Sequence, residues 1–139
     1  MAATWYAIWH RGAKRVRAGR LEQVEHEAFL TLAAERGGVP VMSVVAAGET
    51  DQGDALLVLD AGARSLGSLD AGEVGDELLR GTWEVLNGLH DLGISHGQVD
   101  ARTLLVRPNG SAALTDFGAA QVAARPSALR TDRAQLLVT

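Results

Sequence analysis

The stretch "ISHGQVDARTLLVRPNGSAALTDFGAA", Ile94 to Ala120, decides how this chain is read. It opens on a histidine in a short loop, His96, and closes on Asp116-Phe117-Gly118 after an apolar run. Between them "TLLV" and "AALT" flank Pro108-Asn109-Gly110. Asn-Gly between two apolar runs is a hairpin signal, because both residues accept the positive φ of a tight turn. Gly118 permits a sharp backbone turn directly after the aspartate. On these residues alone Asp116 reads as a turn aspartate closing a strand.

The flanking sequence supplies a scaffold. "EVGDELLRGTWEVLNGLHDLG", residues 73–93, reads as the strongest helix. Leu79, Trp83, Leu86 and His90 form one stripe and Leu78, Val85, Leu89 and Leu92 the next, which predicts a helix buried on most sides. Gly81 and Gly88 each cost it about 1 kcal/mol relative to alanine, or mark close packing, and Gly93 ends it. Upstream, "EQVEHEAFLTLAAERGG" reads as a helix with Val24, Ala28 and Leu32 on one stripe, Phe29 beside it, and Gly37 and Gly38 as its stop. "VPVMSVVAAG" and "ALLVLD", joined through "GETDQGD", predict an antiparallel pair, with Pro40 at its loop-like start. Beyond "ARPSALRT", "DRAQLLVT" begins another amphipathic helix and the chain stops inside it, which is expected of a fragment. The order of elements predicts an α+β fold.

Composition bounds the rest. The chain has 139 residues, 47% of them hydrophobic, enough for one core and not two. There is no cysteine, so disulfides and thiolate metal sites are excluded, and a cytoplasmic setting is permitted. The four histidines, His10, His26, His90 and His96, lack the i, i+4 spacing of a helical zinc site. Net charge is −4, which argues against nucleic acid as a partner. No apolar run approaches the roughly 18 residues of a membrane span. Five of the thirteen basic residues, Arg11, Lys14, Arg15, Arg17 and Arg20, cluster near the start beside Trp5, Tyr6 and Trp9. That cluster is read as a solvated helical face, with an anionic membrane surface or nucleic acid as the alternatives.

Long helix, histidine loop, hairpin and Asp-Phe-Gly in this order resemble the protein-kinase-like superfamily, whose catalytic loop H-R-D-L-x-x-x-N precedes D-F-G. On this sequence His96 takes the His position, Gly97 the Arg, Gln98 the Asp, Val99 the Leu and Thr103 the Asn. His-Gly is closer to the aminoglycoside-phosphotransferase-like and lipopolysaccharide-kinase-like branches. "ALLVLDAG" followed by "RSLGSL" looks like the last N-lobe strand and the hinge, and "VEHEAFLTLAAERGGVPV" looks like the αC helix and the strand after it. The pattern is also similar to kinase-like cytosolic regions of bacterial flippase-like membrane proteins. The resemblance covers roughly residues 22–139. It implies a partial kinase-like fold: residues 1–21 a basic N-terminal segment, 22–60 a remnant N-lobe and hinge, 61–139 part of a helical C-lobe with a β-hairpin. It implies ATP and magnesium as cofactors, a membrane-embedded region of a longer chain as a partner, and a place at the inner face of the membrane.

The roles it implies are specific. Asp116 holds the metal bridging the phosphates, with Thr103 as the weaker second ligand. Asp60, Ala61 and Gly62 form the hinge that meets an adenine ring, and Phe117 and Gly118 complete the motif at the nucleotide. Glu25 is the first choice for the αC glutamate that meets a strand lysine, with Glu27 second. His96 is a structural histidine and Asp132 the aspartate that braces the loop backbone; Arg125 and Arg130 are ordinary surface charges. Gln98 stands at the degenerate position of the catalytic aspartate. A carboxamide takes up no proton near pH 7, and a positioned acid–base group is worth about 10² to 10⁴ in rate. Asp100 is the candidate substitute. No Gly-rich loop is present, the first N-lobe strands are expected to be missing, and the one lysine, Lys14, lies in the basic segment. The reading is a degenerate kinase-like module with a regulatory or interaction role. The alternatives are an active small-molecule phosphotransferase and an unrelated α+β interaction domain.

Overall fold

A computed structural model gives the structure; it describes the backbone of residues 5–10, 17–60 and 62–139, with side chains from residue 19 onward except at 61. Arg11, Lys14, Arg15 and Ala61 therefore lie outside the described residues. The elements run β1 (Trp5–His10), α1 (Arg17–Arg36), β2 (Val44–Glu49), β3 (Ala55–Asp60), β4 (Arg64–Ser65), two 3-10 turns (Leu66–Ser68 and Ala71–Glu73), α2 (Asp76–Asp91), β5 (Leu104–Val106), β6 (Ala112–Leu114) and α3 (Pro126–Leu137). The class is α+β.

Two three-stranded antiparallel sheets stand one after the other, ordered β1-β3-β2 and β4-β5-β6. The "GETDQGD" connection joins β2 to β3 as an antiparallel pair, with a bulge between Val44 and Ala46. A strand also lies within the segment expected to be a basic N-terminal stretch: β1 pairs antiparallel with β3, Trp5 opposite Asp60 through His10 opposite Ala55. "WYAIWH" is aromatic and β-branched, a strand composition, and the adjoining cations had drawn the reading towards a helix. The second hairpin follows Asn-Gly as predicted. Gly110 has φ +83° and its N–H donates to Arg107 O at 2.8 Å, so Leu104 faces Leu114. The 39–42 segment joins the sheets: Leu114 N–H donates to Pro40 O, and Met42 N–H to Leu114 O.

Helix α1 serves two cores. Val24 and Ala28 pack with Ala55, Leu57 and Leu59 of β3. Leu30 and Ala34 belong to the larger cluster with Leu86, Leu89, Leu104, Leu114 and Phe117. The predicted stripe was partly misphased: Phe29 is 61% and Leu32 45% exposed, whereas Glu27 and Thr31 are buried. The true face is Val24, Glu27, Ala28, Thr31 and Ala34, the i, i+3, i+4, i+7 pattern with polar residues inside it. Thr31 satisfies its hydroxyl on Glu27 O at 2.7 Å. Gly38, φ +85°, ends the helix.

Helix α2 is also less enclosed than its two stripes suggested. It buries Leu78, Thr82, Val85, Leu86, Leu89 and His90, while Leu79 and Leu92 are more than 40% exposed. Gly93, φ +75°, ends it, donating to His90 O. Helix α3 begins at Pro126, earlier than "DRAQLLVT" indicated, because proline's fixed φ suits a first helical position. Among the described residues no helix is long and apolar enough to cross a membrane.

Candidate functional site

The loop at His96 is held by one side chain from α3. Asp132 is fully buried; its Oδ2 accepts from His96 N–H at 2.7 Å and from His90 Nε2–H at 2.9 Å, and its Oδ1 accepts from Gly97 N–H at 2.8 Å. One turn on, Gln135 Oε1 accepts from Val99 N–H at 2.9 Å. The bracing expected of Asp132 is therefore present, with His90 as a further partner that no local pattern announces.

His96 is fully buried. Its Nε2–H donates to Thr115 O at 2.8 Å, its Nδ1 accepts from Gln98 N–H at 3.3 Å, and its ring meets Phe117 edge to face with centroids 5.2 Å apart. One nitrogen donates and the other accepts, which is the neutral ring. Burial agrees, holding its pKa below the usual histidine value. His96 is thus a structural clasp between the loop and the Asp-Phe-Gly segment. Gly97 turns the chain with φ +83°, and a Cβ there would stand 2.5 Å from Ala119 O. Only glycine fits, so His-Arg is sterically barred from this bend.

Across from the loop, Asp116 follows β6 with φ 61°, a left-handed conformation rare in residues other than glycine. Held strain of this kind concentrates at functional sites. Asp116, Thr115 and Gly118 share a cleft of about 640 Å³ with Gln98, Arg102 and Thr103 of the loop. The other walls are Gln23 and Glu27 of α1, Met42, Leu59 and Leu105, and the strip Ala63 to Ser65 with Ser68. The two segments set apart in sequence thus face one hollow.

Glu27, not Glu25, is the α1 acid in the cleft: Glu25 is exposed on the outer face, whereas Glu27 is 4% exposed. A Cβ on Gly118 would lie 3.6 Å from Glu27 Oε2 and 3.5 Å from Asp116 Oδ1, so both carboxylates border the same glycine. Burial, and next the charge of Asp116, push the Glu27 carboxyl up to about 7. Its Oε1 has no hydrogen-bond partner among the described residues. The signal for Glu27 was available, since it sits in phase with Val24, Thr31 and Ala34.

The other expected residues divide. Thr103 lines the cleft, but its hydroxyl bonds Gln98 O at 2.9 Å, Asp100 O at 3.1 Å and Asp100 N–H at 3.0 Å, so it staples the loop. Asp100 is outside the cleft lining. Its carboxylate caps the turn by accepting from Arg102 N–H and Thr103 N–H, and it pairs with the Arg102 guanidinium at 2.9 Å. The Arg102 hydrogen bond holds its pKa below the usual carboxylate range, which makes it a poor proton acceptor. Asp60 and Gly62 border a separate hollow of about 230 Å³, and the cleft instead takes Leu59 and Ala63 to Ser65. Phe117 is fully buried in the main core, beneath the cleft rather than on its wall. Arg64 and Arg102, the two cations of the cleft among the described residues, were not singled out by the sequence. Arg64 is turned towards Ser68 O and Glu73, each at 3.3 Å.

The sequence matches no protein-family model and no curated protein. The fold, however, has solved counterparts. The chain is similar to WbdD, whose crystal structure was determined at 2.2 Å, with a TM-score of 0.68 and 21% identity over 96% of this chain. This likeness shows the fold. The chain spans 32% of WbdD, about a third of its length.

The donor set fits one hard divalent cation. Asp116 and Glu27 are the two carboxylates that line the cleft among the described residues, and a cation there would take its remaining positions from ligand oxygens and water, as magnesium prefers. Thr103 contributes little, because its hydroxyl is committed to the loop. Among the described residues no three His, Cys, Asp or Glu side chains cluster into a closed metal site.

Proposed function

We propose that this chain is a degenerate kinase-like module or fragment with a regulatory or interaction role, which binds magnesium–nucleotide weakly and transfers no phosphoryl group. One observation carries the reading: in the cleft that holds Asp116, the loop presents Gln98 where a proton acceptor is required. Phosphoryl transfer needs the nucleotide positioned, its charge neutralised and the attacking hydroxyl oriented. Asp116 serves the second need, and the magnesium it would hold supplies charge neutralisation on the phosphates. Arg102, beside Asp116 in the cleft, is the cation nearest to that charge, and its pKa is raised chiefly by the hydrogen bond to Asp100. The third need is unmet. Gln98 orients through hydrogen bonds but accepts no proton, and Asp100 is engaged in its turn.

The test has two parts. Magnesium–ATP at millimolar concentration is expected to raise the melting temperature by no more than a few degrees, and Asp116→Ala to abolish the rise. A single-turnover assay with labelled ATP is expected to show no transfer by the native chain. Gln98→Asp restores the carboxylate, and any gain of transfer supports the degenerate reading. Transfer by the native chain would overturn it.

A further inference from the structure

A second hollow, of about 720 Å³, lies where the end of α1, one face of α2 and the β5–β6 turn meet. We infer that this groove is a docking site for an extended basic peptide segment of a partner protein, with two cations three residues apart and apolar side chains beside them. The inference stands independently of nucleotide binding in the cleft.

The floor is apolar, with Val39, Leu78, Val85 and Ala112 each less than a tenth exposed. The rim is acidic: Glu77 and Glu84 lie exposed along it, and among the described residues no lysine or arginine lines the hollow. Neither glutamate has an ion-pair partner among the described residues; Glu73, the third acid, is taken by Arg64. Glu77 and Glu84 are seven positions apart on α2, which sets them ~10 Å apart along the groove. An extended strand covers ~10 Å in three residues, so cations at i and i+3 reach both acids at once.

Two helix-interior glycines add an independent observation. Gly81 and Gly88 face the groove, and glycine is among the least favourable residues for a helix interior. Packing does not require them. A Cβ at Gly81 would meet Ala112 at 3.5 Å and one at Gly88 would meet Val39 at 3.7 Å, both ordinary contacts. Nor is either in a left-handed conformation. What they do is leave the groove open. The charge of the whole chain points the same way, since all seventeen acids follow residue 20, against eight of the thirteen cations.

The test is fluorescence anisotropy with a labelled decapeptide carrying two lysines three positions apart between leucine and valine residues. The native chain is expected to bind it saturably and to lose affinity with added salt. Glu77→Lys with Glu84→Lys, both at exposed positions, is expected to weaken binding on the order of tenfold and to accept the matching glutamate peptide instead. Gly81→Leu fills the groove without changing charge and is expected to abolish binding. Equal affinity in the charge-reversed chain, or no saturable binding by the native one, would overturn the inference. Concentration-dependent self-association that the charge reversal removes, with the peptide unbound, would also overturn it and assign the groove to a second copy.

Discussion

At Gly97 the backbone combines a left-handed φ with Ala119 O at 2.5 Å from any Cβ, so the bend has a single permitted residue. Gly97→Ala is expected to cost about 2–4 kcal/mol in chemical denaturation, the sum of conformational strain and a backbone displacement. Asp132→Ala strips the partners from two loop amides and a buried histidine. It is expected to cost about 3–5 kcal/mol, as loss of one member of a buried polar network does. Glu27 sets a pH dependence. Its carboxyl is raised from 4.5 to about 7, so its contribution is complete below pH 4.5, where folded and unfolded chains are both protonated. As pH rises towards 7 the unfolded chain gives up its proton first, and stability falls. Glu27→Gln is expected to flatten this slope and to exceed the native chain by about 2 kcal/mol at pH 8 while matching it near pH 4. A native chain whose stability does not decline across that interval would contradict the assignment.

At the scale of elements, local chemistry made some features legible and tertiary context hid others. The β5–β6 hairpin and the stops at Gly38 and Gly93 were readable because turn residues announce their own φ. The face of α1 was not, because Glu27 and Thr31 interrupt the apolar pattern: one turns into the cleft and the other is satisfied within the helix. The first strand was hidden by neighbouring cations. Of the candidate site, Asp116 and Gln98 were found through the order of motifs. Arg64, Arg102 and Gln23 carry no local signal, since only the fold brings them to one cleft. For α2, Gly81→Ala is expected to raise stability by about 0.5–1 kcal/mol, because the methyl group has room and the helix gains propensity. Thermal or urea unfolding checks this directly.

At the scale of the molecule the apolar interior is unequal among the described residues. There the cluster around β3 has five buried members, Val24, Ala28, Ala55, Leu57 and Leu59, whereas the cluster around α2, β5 and β6 has fifteen. Opening free energy follows buried apolar contact, so amide exchange is expected to be faster in β2 and β3 than in α2, β5 and β6. Uniform protection would show that α1, which packs into both, couples them into one cooperative unit. Leu30→Ala, at a fully buried site on that helix, is expected to cost about 2–5 kcal/mol and to lower protection on both sides.

Asp132 and Gln135 reach the bend from more than thirty positions downstream. During synthesis, then, the ribosome exposes the histidine, its glycine and the Asp-Phe-Gly turn well before the groups that hold them in place. A nascent chain arrested before Pro126 would carry every residue of the cleft and still have a slack bend. The last support of that bend arrives only when α3 emerges and docks.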